Sequence, residues 1–285
     1  MPLTARDWAL NGLPTVSWPT WTLQMTWLFG PTHPALRDLT GALERSAACV
    51  GLRISDQKTK IIRVGYKSTL PRITINGNQV EELREFTYLG SVIAADGDAT
   101  RDVTCRIGKA FAVFKRLRSI WNSASLSLHL KLRLFTTIVV PTALYAAKTW
   151  KKTVTIDRKL DVFQQRCLRR ILKISYRDRV TNDEVYRRTN TKPLSTVVTE
   201  RRLQFTGHIL RLPDHRLAKV AMHWRPSRGR RGLGRPKTTW RRTLMEDLRS
   251  VGIEWDDQHA VDTAAADRGR WKNLVAQCAE RRRRN

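Results

Sequence analysis

The sequence predicts a mixed, mainly α fold: a small α+β segment followed by a longer helical module. Three observations carry that prediction. Up to about residue 98, one amphipathic helix is followed by short apolar runs and turn dipeptides, Asn76-Gly77 and Asp96-Gly97. From about residue 99 onward, apolar residues recur at helical spacing. The charge is also lopsided. Residues 1–130 hold 16 Lys or Arg against 10 acids, and the remaining residues hold 37 against 15.

Residues 1–33 specify no element. Trp8, Trp18, Trp21 and Trp27 lie there among Gly12, Pro14 and Pro19 without any period, so the stretch is expected to be unstructured. Residues 34–98 form the α+β segment. Leu36, Leu39, Leu43, Ala47 and Val50 make one stripe on a helix over 34–50, with Pro34 in its first turn and Gly51 as its stop. Residues 52–64 read as a strand, a basic turn at Lys58 and Lys60, and a second strand. Ile73 and Ile75 approach the Asn76-Gly77 turn, with Val80 beyond it. Phe86 to Ile93 reads as a further strand.

Residues 99–224 read as successive helices. Val103, Ile107, Ala110, Phe111, Phe114, Leu117 and Trp121 share a face of a helix over 100–121. Residues 127–150 are apolar on more sides, with Leu130, Leu134, Ile138, Leu144 and Tyr145, and Pro141 should kink or divide that helix. Leu160, Phe163, Cys167, Leu168 and Ile171 mark a helix over 157–173. Thr181 with Glu184 suggests a capping box, and Ser195 a cap for a helix running to Leu212. Residues 225–237 read as a basic linker, broken by Gly229, Gly232, Gly234 and Pro236. Residues 238–285 carry Trp240, Leu244, Leu248 and Val251 in helical register, a weaker helix over 260–280, and a tail of four arginines, 281–284.

A net charge of +28 opposes compaction unless a polyanion shares it. Nucleic acid is the default partner, because each neutralised phosphate releases counterions. An anionic membrane surface is the alternative. No apolar run reaches the length of a membrane span, and the start lacks the layout of a signal peptide. The expected location is the nucleus or the cytoplasm. The sequence sets no oligomeric state.

The candidate phosphate contacts are Arg53, Lys58 and Lys60 near the first turn; Lys109, Lys115, Arg116 and Arg118 on the helix over 100–121; and Arg166, Arg169 and Arg170 on the next basic helix. The densest group is Arg225, Arg228, Arg230, Arg231, Arg235 and Lys237, where a flexible Gly-Arg segment could wrap phosphates without reading bases or serve as a nuclear-localisation signal. Trp121, Tyr145 and Trp150 could stack on bases, although their helical spacing favours core packing. His208, His215 and His223 are spaced by seven and eight with no cysteine pair, which argues against zinc, and no metal site is expected. Cys49, Cys105, Cys167 and Cys278 are too far apart for paired-thiol chemistry. Cys105 and Cys167 fall on apolar faces and read as buried thiols. No serine has the His and Asp company of a nucleophile.

An ordered set of blocks then carries a resemblance. They read GLRISDQKTKIIRVG at 51–65, FTYLGSVIAADG at 86–97, RIGKAFAVFKRLRSIW at 106–121 and KLRLFTTIVVPTALYAAKTW at 131–150. Further along come LDVFQQRCLRRILKI at 160–174, TNDEVYRRT at 181–189, RRLQFTGHILRL at 201–212 and GRPKTTWRR at 234–242. Over about residues 34–275 the chain resembles the end of the reverse transcriptase of non-LTR (LINE-type) retrotransposons and the region that follows it. The resemblance implies a palm remnant over 34–98, a helical thumb and connection over 99–224, and RNA, DNA or RNA–DNA hybrid as partner. It also implies Tyr88 and Gly90 as primer-side candidates, Gly90 by allowing close backbone approach. The downstream blocks carry no assigned role.

Polymerisation requires carboxylates around paired divalent metals. The family supplies two of them in a Phe/Tyr-Ala-Asp-Asp turn just before the helix over 34–50. This sequence has no Asp between Asp7 and Asp38. One choice of codons for Thr20 to Trp27, shifted by two bases, reads Leu-Asp-Phe-Ala-Asp-Asp-Val, so a change of frame would account for the loss. Other codons at Thr22 to Thr26 would sink that idea. Asp38, Asp56, Asp96 and Asp98 are not placed to substitute. The chain is therefore expected to have no catalytic residues and no cofactor of its own, whereas an intact family member would use Mg²⁺. Two alternatives stand beside a binding remnant: a fragment of a longer, active polymerase, and a host structural or chromatin-associated nucleic-acid-binding protein.

Overall fold

The computed structural model describes residues 33–63, 72–75, 77–223 and 238–284, with only the backbone of 33–36 and 282–284. The Trp-rich start and the basic linker lie outside the described residues. The architecture is mixed and mainly α, with strands confined to two-stranded sheets. The chain divides into two compact units, Met1–Phe86 and Thr87–Asn285.

In the first unit, α1 (His33–Cys49) stops where the sequence places its stop. Gly51 takes φ +73°, its N–H bonds to the Ala48 carbonyl at 3.1 Å, and the Leu52 N–H bonds to Ala47 at 2.9 Å. This is a Schellman closure, which needs the left-handed conformation glycine adopts cheaply. The packed face of α1 differs from the expected stripe. Thr40 and Ala47 are buried, with Leu43 partly so, while Leu39 and Val50 are exposed. The core is small (Ala47, Ile54, Ile75 and Val80), so a narrow arc of the helix suffices to cover it.

Residues 52–59 do not form the expected first strand. A turn forms instead, in which the Thr59 N–H bonds to the Ser55 carbonyl and Lys58 N–H to Ser55 Oγ. β1 (Lys60–Ile62) pairs in parallel with β4 (Glu81–Leu83), Lys60 opposite Glu81. Between them β2 (Thr74–Ile75) and β3 (Asn78–Gln79) form the expected hairpin, Ile75 opposite Asn78, with Gly77 at φ +77°.

β5 (Glu85–Tyr88) leads out of the first unit and pairs with β6 (Ser91–Ala94). The single strand expected over 86–93 is thus a hairpin. Leu89 (φ +46°) and Gly90 (φ +79°) form its two-residue turn, both with the positive φ that a type I′ turn requires.

The second unit is helical. α2 (Thr100–Arg116) and α3 (Arg118–Asn122) replace the one helix expected, broken at Leu117. Val103, Ala110, Phe114 and Trp121 are buried along the predicted face. The bend lets the Trp121 indole N–H donate to the Phe114 carbonyl at 2.8 Å.

Next come α4 (Leu128–Leu134), a π-helical turn over Phe135–Val139, and α5 (Val140–Ala143). Pro141 cannot donate an N–H, and the wide turn just before it is where the ladder yields. The π turn also resets the buried face. Phe135, Val139, Ala143 and Leu144 are inside, while Leu130, Ile138 and Tyr145 are exposed.

α6 (Val154–Ile171) starts at the cap Thr153 and buries all five predicted apolar residues. α7 (Asn182–Thr189) is capped by Thr181 alone, because Glu184 turns outward to Arg187 and Arg188. The reciprocal capping box lies earlier, between Ser175 and Asp178. α8 (Leu194–Leu210) is not capped by Ser195. Its first N–H groups are taken by α6 side chains: Leu194 N–H by Gln164 Oε1 at 2.8 Å and Ser195 N–H by Asp161 Oδ1 at 3.0 Å.

α9 (Leu217–His223), α10 (Trp240–Arg249), α11 (Gln258–Ala266) and α12 (Arg268–Arg284) complete the unit. Two hydrophobic cores result. One is built from α2 to α7 and the start of α8, the other from the end of α8 and the helices after it.

Candidate nucleic-acid interface

α2, α3 and α6 lie beside one another and bring four predicted cations to one place. Lys115, Arg118, Arg166 and Arg170 line a half-open groove of about 660 Å³ together with Phe111, Phe114 and Trp121. Spacing explains the convergence. Phe111 and Lys115 are four apart on α2, Arg166 and Arg170 four apart on α6, so each pair shares a face of its helix. Among the described residues, none that lines the groove is acidic.

The floor is aromatic. Phe114 stacks on Trp121 (centroids 5.0 Å, planes 16° apart), and Phe111 lies parallel to Phe114 at 6.3 Å. Phe135 closes the set edge-on to Phe114. The cations are held close by the half-buried Phe111 ring, with the Arg166 guanidinium 4.6 Å and the Lys115 ammonium 5.1 Å from its centroid. The electron-rich ring face offsets part of the mutual repulsion of clustered positive charge.

The other predicted cations are placed differently. Lys109 and Arg116 are exposed on α2, seven residues apart and so on a shared face away from the groove. Arg169 is turned to structural use, donating to the Val180 carbonyl at 2.8 Å and to Asn182 Oδ1 at 2.9 Å. In the first unit Arg53 and Lys58 are exposed, while Lys60 is bonded to Glu81 at 2.5 Å. Arg225, Arg228, Arg230, Arg231, Arg235 and Lys237 lie outside the described residues.

Tyr88 is half-buried on β5. Gly90 serves its turn and gives room to Arg106, whose Nη2 would lie 3.3 Å from a Cβ at that position. Arg106 in turn bonds Ser91 and lies 4.2 Å from the centre of the exposed Tyr145 ring. Trp121 and Trp150 are core residues, the latter bonded to the buried Asp102 at 2.7 Å. Cys105 is exposed, contrary to its apolar-face reading, because the buried arc of α2 runs through Val103 and Arg106 instead; Cys167 is buried. Among the described residues no three His, Cys, Asp or Glu side chains gather as a metal site, and no helix is long and apolar enough to cross a membrane.

Sequence reasoning missed two constellations in the downstream blocks. Arg202, fully buried on α8, bonds Thr243 at 2.7 Å and the Trp240 carbonyl at 3.2 Å, and faces Asp247 at 3.4 Å. The Trp271 ring of α12 lies flat on Gly207 of α8 and donates to the Leu203 carbonyl at 2.9 Å. Gly207 and Trp240 thus help hold helices together, whereas His208 is exposed and Thr239 caps only its own helix. The available signal was a glycine inside an apolar helix, which points to close approach.

No protein-family model matches this chain, and no solved structure matches it. Among curated proteins, it is similar to an uncharacterized transposon-derived protein of Caenorhabditis elegans, 24% identical over 237 residues. The similarity covers 79% of this chain and 83% of that protein. The likeness supports a transposon-related origin.

Proposed function

We propose that this chain is a remnant of a non-LTR retrotransposon RNA-directed DNA polymerase, retaining a thumb-like module that grips the phosphate backbone of RNA, DNA or their hybrid without adding nucleotides. The observation that carries the binding is the groove between α2, α3 and α6, where Lys115, Arg118, Arg166 and Arg170 meet with no carboxylate among the described residues that line it. Clustered cations of this kind bind polyanions through counterion release. The likeness to a transposon-derived protein supports the origin, and the ordered sequence blocks support the polymerase family. The inactivity rests on the sequence, which lacks the adjacent aspartates that hold catalytic metals in the family. Mg²⁺ belongs to an intact family member, and this chain is read as using none. Its place of work on this reading is the nucleus or the cytoplasm.

Filter binding at several salt concentrations tests the binding. The expected result is an affinity that falls steeply with salt, and a slope that flattens by about one for each of Arg118→Glu and Arg170→Glu. Affinity that ignores ionic strength defeats the reading. Primer extension with Mg²⁺ tests the inactivity, and incorporation above a no-protein blank would overturn it.

A further inference from the structure

The groove has more apolar surface than phosphate binding needs. Tracking a duplex backbone needs cations at the phosphates and no apolar floor. Here the four cations rim a recess whose floor is three near-parallel aromatic rings, Phe111, Phe114 and Trp121. Its volume of about 660 Å³ lies in the range of pockets that take a small planar molecule. Phe111 is the accessible member, half-buried at the edge of the stack. The Arg166 guanidinium and the Lys115 ammonium stand over it, at 4.6 Å and 5.1 Å.

We propose that this recess takes an unpaired base of a single-stranded nucleic acid, stacked on Phe111, with the flanking phosphates on Arg118 and Arg170. The proposal rests on the phosphate-binding reading above and narrows its ligand. In the free protein the ring face and the two cations satisfy each other. A strand brings both replacements at once: its phosphates, seated on Arg118 and Arg170, also attract Lys115 and Arg166 away from the ring, and the base covers the ring in their place. A duplex brings only the phosphates, because its bases are stacked within the helix. Aromatic stacking with cationic tracking is the general means of holding single strands without regard to sequence.

Fluorescence anisotropy of the full chain with labelled oligothymidylate, and with the duplex of the same length, tests this. The expected result is a preference for the single strand of about tenfold, abolished by Phe111→Leu and kept by Phe111→Tyr, with duplex affinity unchanged in both variants. Arg118→Glu should weaken both probes alike. Equal or tighter binding of the duplex by the wild type would overturn the proposal. So would Phe111→Leu weakening both probes equally while Phe111→Tyr restores both, which marks a packing role. If both probes bind equally with steep salt dependence, the base site fails and the phosphate-binding reading stands. If neither binds, that reading fails and takes the base site with it.

Discussion

Gly207 shows how a single position can decide a helix crossing. A Cβ there would lie 2.2 Å from Nε1 of Trp271, well inside contact distance, and the blocking atoms belong to a ring that its own hydrogen bond to Leu203 fixes in place. Gly207→Ala should therefore destabilise the fold by about 1–3 kcal/mol, as overpacking does. Urea denaturation measures it, and an unchanged midpoint would contradict the account. Nothing in the local sequence names Trp271 as the partner, since the two are 64 positions apart and share no period. Arg202 was equally hidden. A charged residue in RRLQF reads as solvent-facing, and only the fold shows it enclosed with Asp247 and Thr243. Burial without such partners would be costly, so the pair probes register between α8 and α10 more than it adds stability.

Turns and caps account for most of the differences at the level of elements. Periodicity marked α2 and α6 because a helix that packs on one side writes its face into the chain; on α1 it marked the helix but not the arc that packs, since Leu39 and Val50 are exposed. It could not mark the break at Leu117 or the π turn over Phe135–Val139, where backbone geometry follows from packing and from Pro141. The hairpin at Leu89–Gly90 was invisible for a different reason. Its first turn residue is leucine, which rarely adopts positive φ, and no Asn-Gly signal announces it. Leu89 is also exposed, so its side chain contributes little there. Leu89→Asn should raise stability by up to about 1 kcal/mol through relief of that backbone strain. A lower thermal midpoint for the variant would show that Leu89 is held by something other than the turn. The candidate groove was half legible. The cations stand out in sequence, but Phe111 reads only as part of an apolar helix face, and their meeting depends on α2, α3 and α6 lying together, which no spacing within one helix reveals.

The second unit is organised around α8. Val198, near its start, packs in the first core, and Leu203, Ile209 and Leu210 pack in the second. Asp161 and Gln164 of α6 hold its first turn, while Trp271 of α12 lies on its far half. The Trp240 indole also reaches the Lys148 carbonyl at 2.8 Å. Two cores joined through one rigid helix should melt together. Two thiols report on this, Cys167 in the first core and Cys278 in the second, both buried. Burial pushes the Cys167 thiol up to about 12, so it is inert while folded. In rising urea both should become reactive at the same midpoint, with Cys49 and Cys105 labelled from the outset. Cys278 reacting well ahead of Cys167 would separate the cores.

Sharing a helix between two cores also bears on what such a gene can lose. Deleting the stretch that follows α7 would not trim an appendage; it would strip the wall from the upstream helices that form the cationic groove. Decay in either half is then visible to selection acting on the other. The downstream blocks would be inherited alongside the groove because they keep it standing.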